Sequence, residues 1–215
     1  FLDSGIELKQ MTFRKADGKT RVLELWDQTD QSGRSPEGFQ YGSVYTSEDI
    51  DKLLAEEQEV LPGKDENGHG TFLAGVAAAS ETADYIGAAP EAEILMVKLK
   101  PAKKYLRDFY LLPEQVEAYS ETDMMMGVRF LQQYAIREKK PLVICVGLGT
   151  ASGSRTGALP FADLLNTLAR QVNTVVVTCT GNEATRYVVQ GKRVDTIDVV
   201  KKSDSADQTA QTSGN

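Results

Sequence analysis

The sequence predicts an α/β fold, a parallel sheet flanked by helices, and three observations predict it. Three near-continuous apolar runs, "AEILMVKL" at 92–99, "PLVICVGL" at 141–148 and "TVVVTCT" at 174–180, have the length and β-branched content of strands buried on both faces. Segments with a helical apolar period alternate with these runs. Of the 215 residues, 41% are hydrophobic, enough to fill the core of one ordinary domain.

Taken in order, "FLDSGIE" at 1–7 reads as the end of a strand running into a loop. Residues from about 6 to 65 are less regular. Within them "YTSEDIDKLLAEEQEV" is an acidic amphipathic helix with a Thr46 and Asp49 capping box, and glycine-rich loops flank it. That stretch is predicted to be an insertion over the surface, outside the core. "HGTFLAGVAAAS" is a helix by its small-residue content, with Leu73, Val76 and Ala77 at helical spacing, and the strand at 92–99 follows.

A helix over about 122–139 aligns Met125, Val128, Leu131 and Ala135, with Thr122 or Asp123 as its cap. After the strand at 141–148, Pro160 opens a helix that carries Phe161, Leu164, Leu165 and Leu168 on one side, and the strand at 174–180 closes the cycle. Residues 200–215 lose their apolar content and read as a loop or a cut end. The whole reads as one partial domain over 1–215, trimmed at both ends and incomplete at the C-terminus, without internal repeats.

Composition excludes several classes. A formal net charge of -7 argues against a nucleic-acid partner, which would need clustered Lys and Arg. No stretch approaches the roughly 20 apolar residues of a membrane span, and no basic-then-apolar signal segment opens the chain. The two cysteines, Cys145 and Cys179, lie in apolar runs and are expected to be buried thiols, not a disulfide framework.

His69 is the one histidine of the chain. A lone histidine is more often structural than catalytic, but its setting, "ENGHGTFLAGVAAAS", is unusual. Gly68 and Gly70 would let backbone approach on both sides, and Ala74, Gly75, Ala77 and Ala78 would let the helix pack tightly. A histidine acting as general base needs a carboxylate on its Nδ1 side and a nucleophile on its Nε2 side. Asp3, at the carboxyl end of a strand, is the candidate carboxylate, since open α/β sheets collect their active sites there. Alone, "DSG" is no more than a turn.

Together these segments resemble the subtilisin-like serine proteases, peptidase family S8. "FLDSGI" is similar to the family's Asp motif and "NGHGTFLAGVAA" to its His motif, HGTxxAG. "IGAAPEAEILMVKL" resembles the G-V-A-P-x-A strand start, "VICVGLGTASGS" the strand lining the substrate cleft, and "VVVTCTGNEA" the A-A-G-N-E segment. Five motifs in the family's order cover about residues 1–185. The resemblance implies a subtilisin-like fold and an endopeptidase working through an acyl-enzyme. Asp3 would be the orienting carboxylate, His69 the general base and acid, and Asn182 the oxyanion-hole donor. Gly147, Leu148 and Gly149 would bind an extended peptide or protein substrate as an added strand.

"RVLELWDQTDQSG", "YTSEDI" and "GHGTFLAG" in succession further resemble the clostridial-type branch that includes spore-germination proteases. That implies a secreted, cell-envelope or spore-associated setting and a propeptide partner. The branch also holds pseudoproteases that bind or signal without catalysis, the rival reading here. The retained Asp3, His69 and Asn182 count against it.

The family's serine motif, G-T-S-x-A, is absent. "QTSGN" at 211–215 lacks the preceding Gly and following Ala, and Ser213 lies too close behind Asn182 to be the nucleophile. The serine is expected outside this chain, and the fragment alone is expected to be inactive. No cofactor is expected, and no metal. A zinc site needs more nitrogen or sulfur ligands than one histidine offers, and no compact Asp-rich calcium loop is present. A dinucleotide-binding module would need G-x-G-x-x-G after the first strand, which is missing. "PAKKYLRDFYLLPEQVEAYSE" at 101–121 reads either as a cleft wall with Tyr105, Phe109 and Tyr110 lining it, or as a loop packed on the core.

Overall fold

A computed structural model of the chain describes residues 1–149 and 159–179. Six strands form one sheet: β1 (Leu2–Asp3), β2 (Val22–Asp27), β3 (Ser43–Thr46), β4 (Ile94–Lys98), β5 (Leu142–Val146) and β6 (Thr174–Thr178). Their order is β3-β2-β4-β1-β5-β6, parallel throughout except for the antiparallel β2/β3 pair. The helices are α1 (Ser47–Ala55), α2 (His69–Ala78), α3 (Lys104–Phe109), α4 (Glu121–Glu138) and α5 (Pro160–Ala169).

Strand β1 has only two residues, yet it is central: Leu2 pairs with Val97 on one side and Val146 on the other. Its two side chains point to opposite faces. On the Leu2 face, Leu2 packs with Trp26, Val97, Val128, Leu131, Ile144 and Leu168 beneath α4 and α5. Gly127 lets α4 approach, since a Cβ there would lie 2.8 Å from Leu2 Cδ2. The opposite face buries Ile6, Leu25, Ile50, Ala74, Ala78 and Met96 beneath α1 and α2. Alternation along β2 and β4, Leu25 against Trp26 and Met96 against Val97, feeds both layers.

This corrects the reading of about 6–65 as a surface insertion. The stretch supplies β2 and β3 to the sheet, and Val22, Leu25 and Trp26 are fully buried. Trp26 stacks tilted on Phe39, Tyr41 and Phe130 at centroid distances of 4.6, 5.2 and 5.4 Å, and its Nε1 donates to the Tyr41 carbonyl. Arg21, itself buried, donates to the carbonyls of Ala92 and Thr12 at 2.7 Å and to that of Ala78, the last residue of α2. The capping box of α1 forms as expected, Asp49 N–H donating to Thr46 Oγ1 and Thr46 N–H to Asp49 Oδ2, and Ile50 anchors the helix.

Other expectations shift in detail. Helix α4 has Ser120 at its N-cap position, without a side-chain capping bond, in place of Thr122 or Asp123. Asp123 instead accepts from Tyr41 Oη at 2.9 Å and pairs with Lys100. Pro160 does open α5, with Leu165 and Leu168 buried. Burial on both faces holds for β1 and β4 but not for β5 and β6, whose Val143, Val175 and Val177 are exposed. Cys145 is half-buried and Cys179 exposed, so the second thiol is not a core residue. No helix among the described residues is long and apolar enough to cross a membrane. The expected loop at 200–215 lies outside the described residues.

Trp26 is the only tryptophan, so truncating it tests whether β2 is core. Trp26→Ala is expected to lower the unfolding free energy by about 3–5 kcal/mol, measured by denaturant melts followed by circular dichroism.

Candidate active site

The carboxyl ends of β1, β4 and β5 converge where consecutive strands β4 and β5 fall on opposite sides of β1, the crevice position of an open α/β sheet. Asp3 ends β1 and is fully buried, and α2 starts at His69. The two side chains meet: His69 Nδ1 donates to Asp3 Oδ1 at 2.7 Å. A carboxylate only accepts, so the Nδ1 hydrogen lies in this bond, and an imidazole held this way turns Nε2 away from Asp3. The imidazole is 47% exposed, so one ring edge is held while the other faces the crevice.

Glycine makes this approach feasible. A Cβ at Gly70 would collide with the Gly5 carbonyl and lie 3.0 Å from the Asp3 Cβ, so only glycine lets α2 sit this close to β1. Gly68 serves differently from the expectation. Nothing crowds it, and its φ of 80° is what requires glycine. The packing face of α2 is Gly70, Ala74 and Ala78, spaced by four, whereas Gly75 and Val76 face outward.

Gly68, the N-cap, has no side chain to cap the helix, and loop side chains take over. Asp65 Oδ1 accepts from Gly68 N at 3.0 Å, and its Oδ2 accepts from Thr71 N and Oγ1, both at 2.7 Å. Asn67 Oδ1 accepts from His69 N at 2.7 Å, and Ser4 Oγ accepts from Gly70 N at 3.1 Å. Burial alone pushes the Asp65 carboxyl up, but the bonds from Thr71, Ser4 and Gly68 outweigh it and hold the group below the ordinary carboxylate range. Asp3 Oδ1 accepts also from Ser4 N at 2.8 Å, while Asp3 Oδ2 is buried without a partner among the described residues.

Gly147 follows β5 directly beside the imidazole: a Cβ there would lie 3.4 Å from His69 Cε1 and 2.7 Å from Leu73 Cδ2. Leu148 packs on the core and Gly149 is exposed. The sequence therefore brings Asp3, His69 and Gly147 together. Asn182 and Ser213 lie outside the described residues. Sequence reasoning missed Ser4, Asp65, Asn67 and Thr71, although "DENGHGT" carries the Asp and Asn typical of a helix start.

The segment 101–121 approaches by its base. Pro101 bridges Tyr119, and Glu117 accepts from Asn67 Nδ2. Burial and the charges of Glu117, Asp3 and Asp65 raise the Tyr119 phenol. Tyr105, Phe109 and Tyr110 at its tip are 64%, 76% and 53% exposed, so that tip is not packed on the core. No group of three or more His, Cys, Asp or Glu among the described residues could hold a metal ion.

The profile of the subtilase family, peptidase S8, matches residues 1–214. The chain belongs to the subtilase family. Among solved structures, this subtilase chain is similar to the CspB protease of Clostridium perfringens, with 28% identity and a TM-score of 0.69 over 85% of this chain. The match covers 35% of that protein, so the subtilase chain spans about a third of its length. No curated protein sequence matches. The mostly parallel sheet with helices on both faces is the α/β subtilisin-like fold expected from sequence.

Two outcomes follow for this subtilase site. Gly70→Ala is expected to cost about 1–3 kcal/mol in denaturant melts, because backbone must yield to the new methyl, whereas Gly75→Ala meets open space and is expected to be neutral or mildly stabilising. Because the Asp65 carboxyl is lowered in the fold, its contribution is full above the unfolded carboxylate value and lost as pH falls through the folded one. The difference in Tm between the parent chain and Asp65→Asn is therefore expected to shrink steadily as pH is lowered from 7 toward 3.

Proposed function

We propose that the chain is the Asp- and His-bearing part of a serine endopeptidase domain that hydrolyses peptide bonds in peptide or protein substrates. The single observation that carries the reading is the bond between a fully buried Asp3 carboxylate and His69 Nδ1 at 2.7 Å, with the ring half-exposed above the crevice.

That arrangement does specific work. Asp3 holds the imidazole in the tautomer whose Nε2 can take a proton and stabilises the imidazolium that results, without itself becoming protonated. A serine hydroxyl presented to Nε2 attacks the scissile carbonyl as its proton passes to His69, and His69 then returns the proton to the departing amine. Asn182 is assigned the oxyanion side-chain donor. Gly147, Leu148 and Gly149 are assigned to hold the substrate in extended form. A side chain at Gly147 would collide with Leu73, one turn along α2 from His69, which supports bare backbone at that point. The nucleophile is assigned to a serine outside these 215 residues, because the family's serine motif is absent from them.

The test is labelling of the intact protein with a fluorophosphonate probe followed by peptide mapping. One labelled serine outside residues 1–215, with labelling lost in His69→Ala, supports the reading. An intact, folded protein that takes no label overturns it in favour of a binding or signalling pseudoprotease. In turnover assays, His69→Ala is expected to cut kcat by about 10⁶-fold and Asp3→Ala by about 10⁴-fold, magnitudes measured in subtilisin, a member of the same family.

A further inference from the structure

Asp65 lies outside the proposed triad yet is the most heavily bonded side chain around it. Its two oxygens accept from Gly68 N, Thr71 N, Thr71 Oγ1 and, at 2.8 Å, the Ser4 hydroxyl. The Ser4 hydroxyl is the informative partner. Its Oγ stands 2.8 Å from Asp65 Oδ1, 2.9 Å from Asn67 Oδ1 and 3.1 Å from Asp3 Oδ1. A hydroxyl has one hydrogen, so it satisfies one of these three acceptors at a time. The charged acceptor at the shortest distance is Asp65. Asn67 is a neutral amide oxygen already engaged by His69 N at 2.7 Å, which makes it the weaker competitor.

The destination of that one proton matters at Asp3. Asp3 Oδ1 is the atom that receives His69 Nδ1–H, and it already accepts from Ser4 N. A third donor there would drain charge from the oxygen that orients the imidazole. We propose that Asp65 is a positioning residue for His69: it fixes the first turn of α2 and draws the Ser4 hydroxyl proton to itself, which leaves Asp3 Oδ1 to the imidazole. Two functions meet in one carboxylate, one mechanical and one electrostatic. The electrostatic one distinguishes it from an ordinary helix cap.

The consequence for turnover rests on the peptidase reading, but the effect on His69 does not. Its Nδ1 proton can be followed in the ¹⁵N-histidine-labelled intact protein, where it is identified as the resonance lost in His69→Ala. In the parent protein this proton is expected far downfield and protected from solvent. In Asp65→Ala the Ser4 hydroxyl turns to Asp3, and the resonance is expected to move upfield and exchange faster. Adding Ser4→Ala removes the competing donor, and the double variant is expected to recover much of the downfield shift. A cap with only a mechanical role gives the opposite order, with the double variant at least as perturbed as the single one.

Asp65→Asn, close in volume and neutral, repeats the comparison should the alanine variant not fold, with a smaller shift in the same direction. An unmoved resonance in the Asp65 variants, or no recovery on adding Ser4→Ala, overturns the proposal. In the intact protein, Asp65→Ala is expected to lower kcat by about 10²-fold with KM within about twofold, the scale of a small misplacement of a catalytic group. An inactive parent protein would count against the peptidase reading alone, since the resonance of His69 is read without turnover.

Discussion

Everything at this site depends on one close approach: a helix whose first residue is His69 must lie against a strand whose last residue is Asp3, near enough for a 2.7 Å bond between their side chains. Strand β1 can bear that demand because it is fixed from four directions. Strands β4 and β5 pair with it on either edge, α2 covers it on the Asp3 side and α4 presses on Leu2 from the other. A two-residue strand has little order of its own. Its rigidity is borrowed from buried neighbours, and core packing thereby becomes a condition of the site's geometry.

Burial of Asp3 sharpens the electrostatics. A carboxylate removed from water must be met by donors, and Asp3 receives His69 Nδ1–H and Ser4 N–H on a single oxygen while the other goes unpartnered among the described residues. The imidazole is thus a large share of what makes the buried charge tolerable. Stability and the orientation of the ring are therefore coupled at this pair.

How much of this was legible in sequence varied with how distinctive each segment is. "FLDSGI" and "NGHGTFLAG" placed Asp3 and His69 through their resemblance to the family's Asp and His motifs, and the structure makes physical sense of the glycine at position 70. The later strands were readable as unbroken apolar runs. Strand β2 was not, since Arg21 and Glu24 interrupt the apolar pattern of "RVLELWD". Arg21 is nonetheless buried with its terminal guanidinium nitrogens on the Ala92 and Ala78 carbonyls, and Glu24 meets Arg137 at 2.6 Å, partners remote in sequence that the local pattern does not announce. Asp65 and Asn67 in "KDENG" went unremarked, because a polar loop does not declare which backbone amides it will meet. Cys179 illustrates the converse: an apolar neighbourhood in sequence did not guarantee a covered one in space.

The manner in which α2 is held carries a final consequence. The helix contains no acidic residue in its first turn and no basic residue in its last, yet Asp65 sits at its start and the Arg21 guanidinium at its final carbonyl. The charges that match its dipole are lent by segments before it in the chain. Held by opposite charges at its two tips, the helix resists sliding along its own axis, the motion that would carry His69 away from Asp3. It remains free of charged side chains along its length. Drift in the composition of the helix and drift in its alignment are thus governed by different stretches of the chain, so its exposed positions can vary without changing the reach of the imidazole.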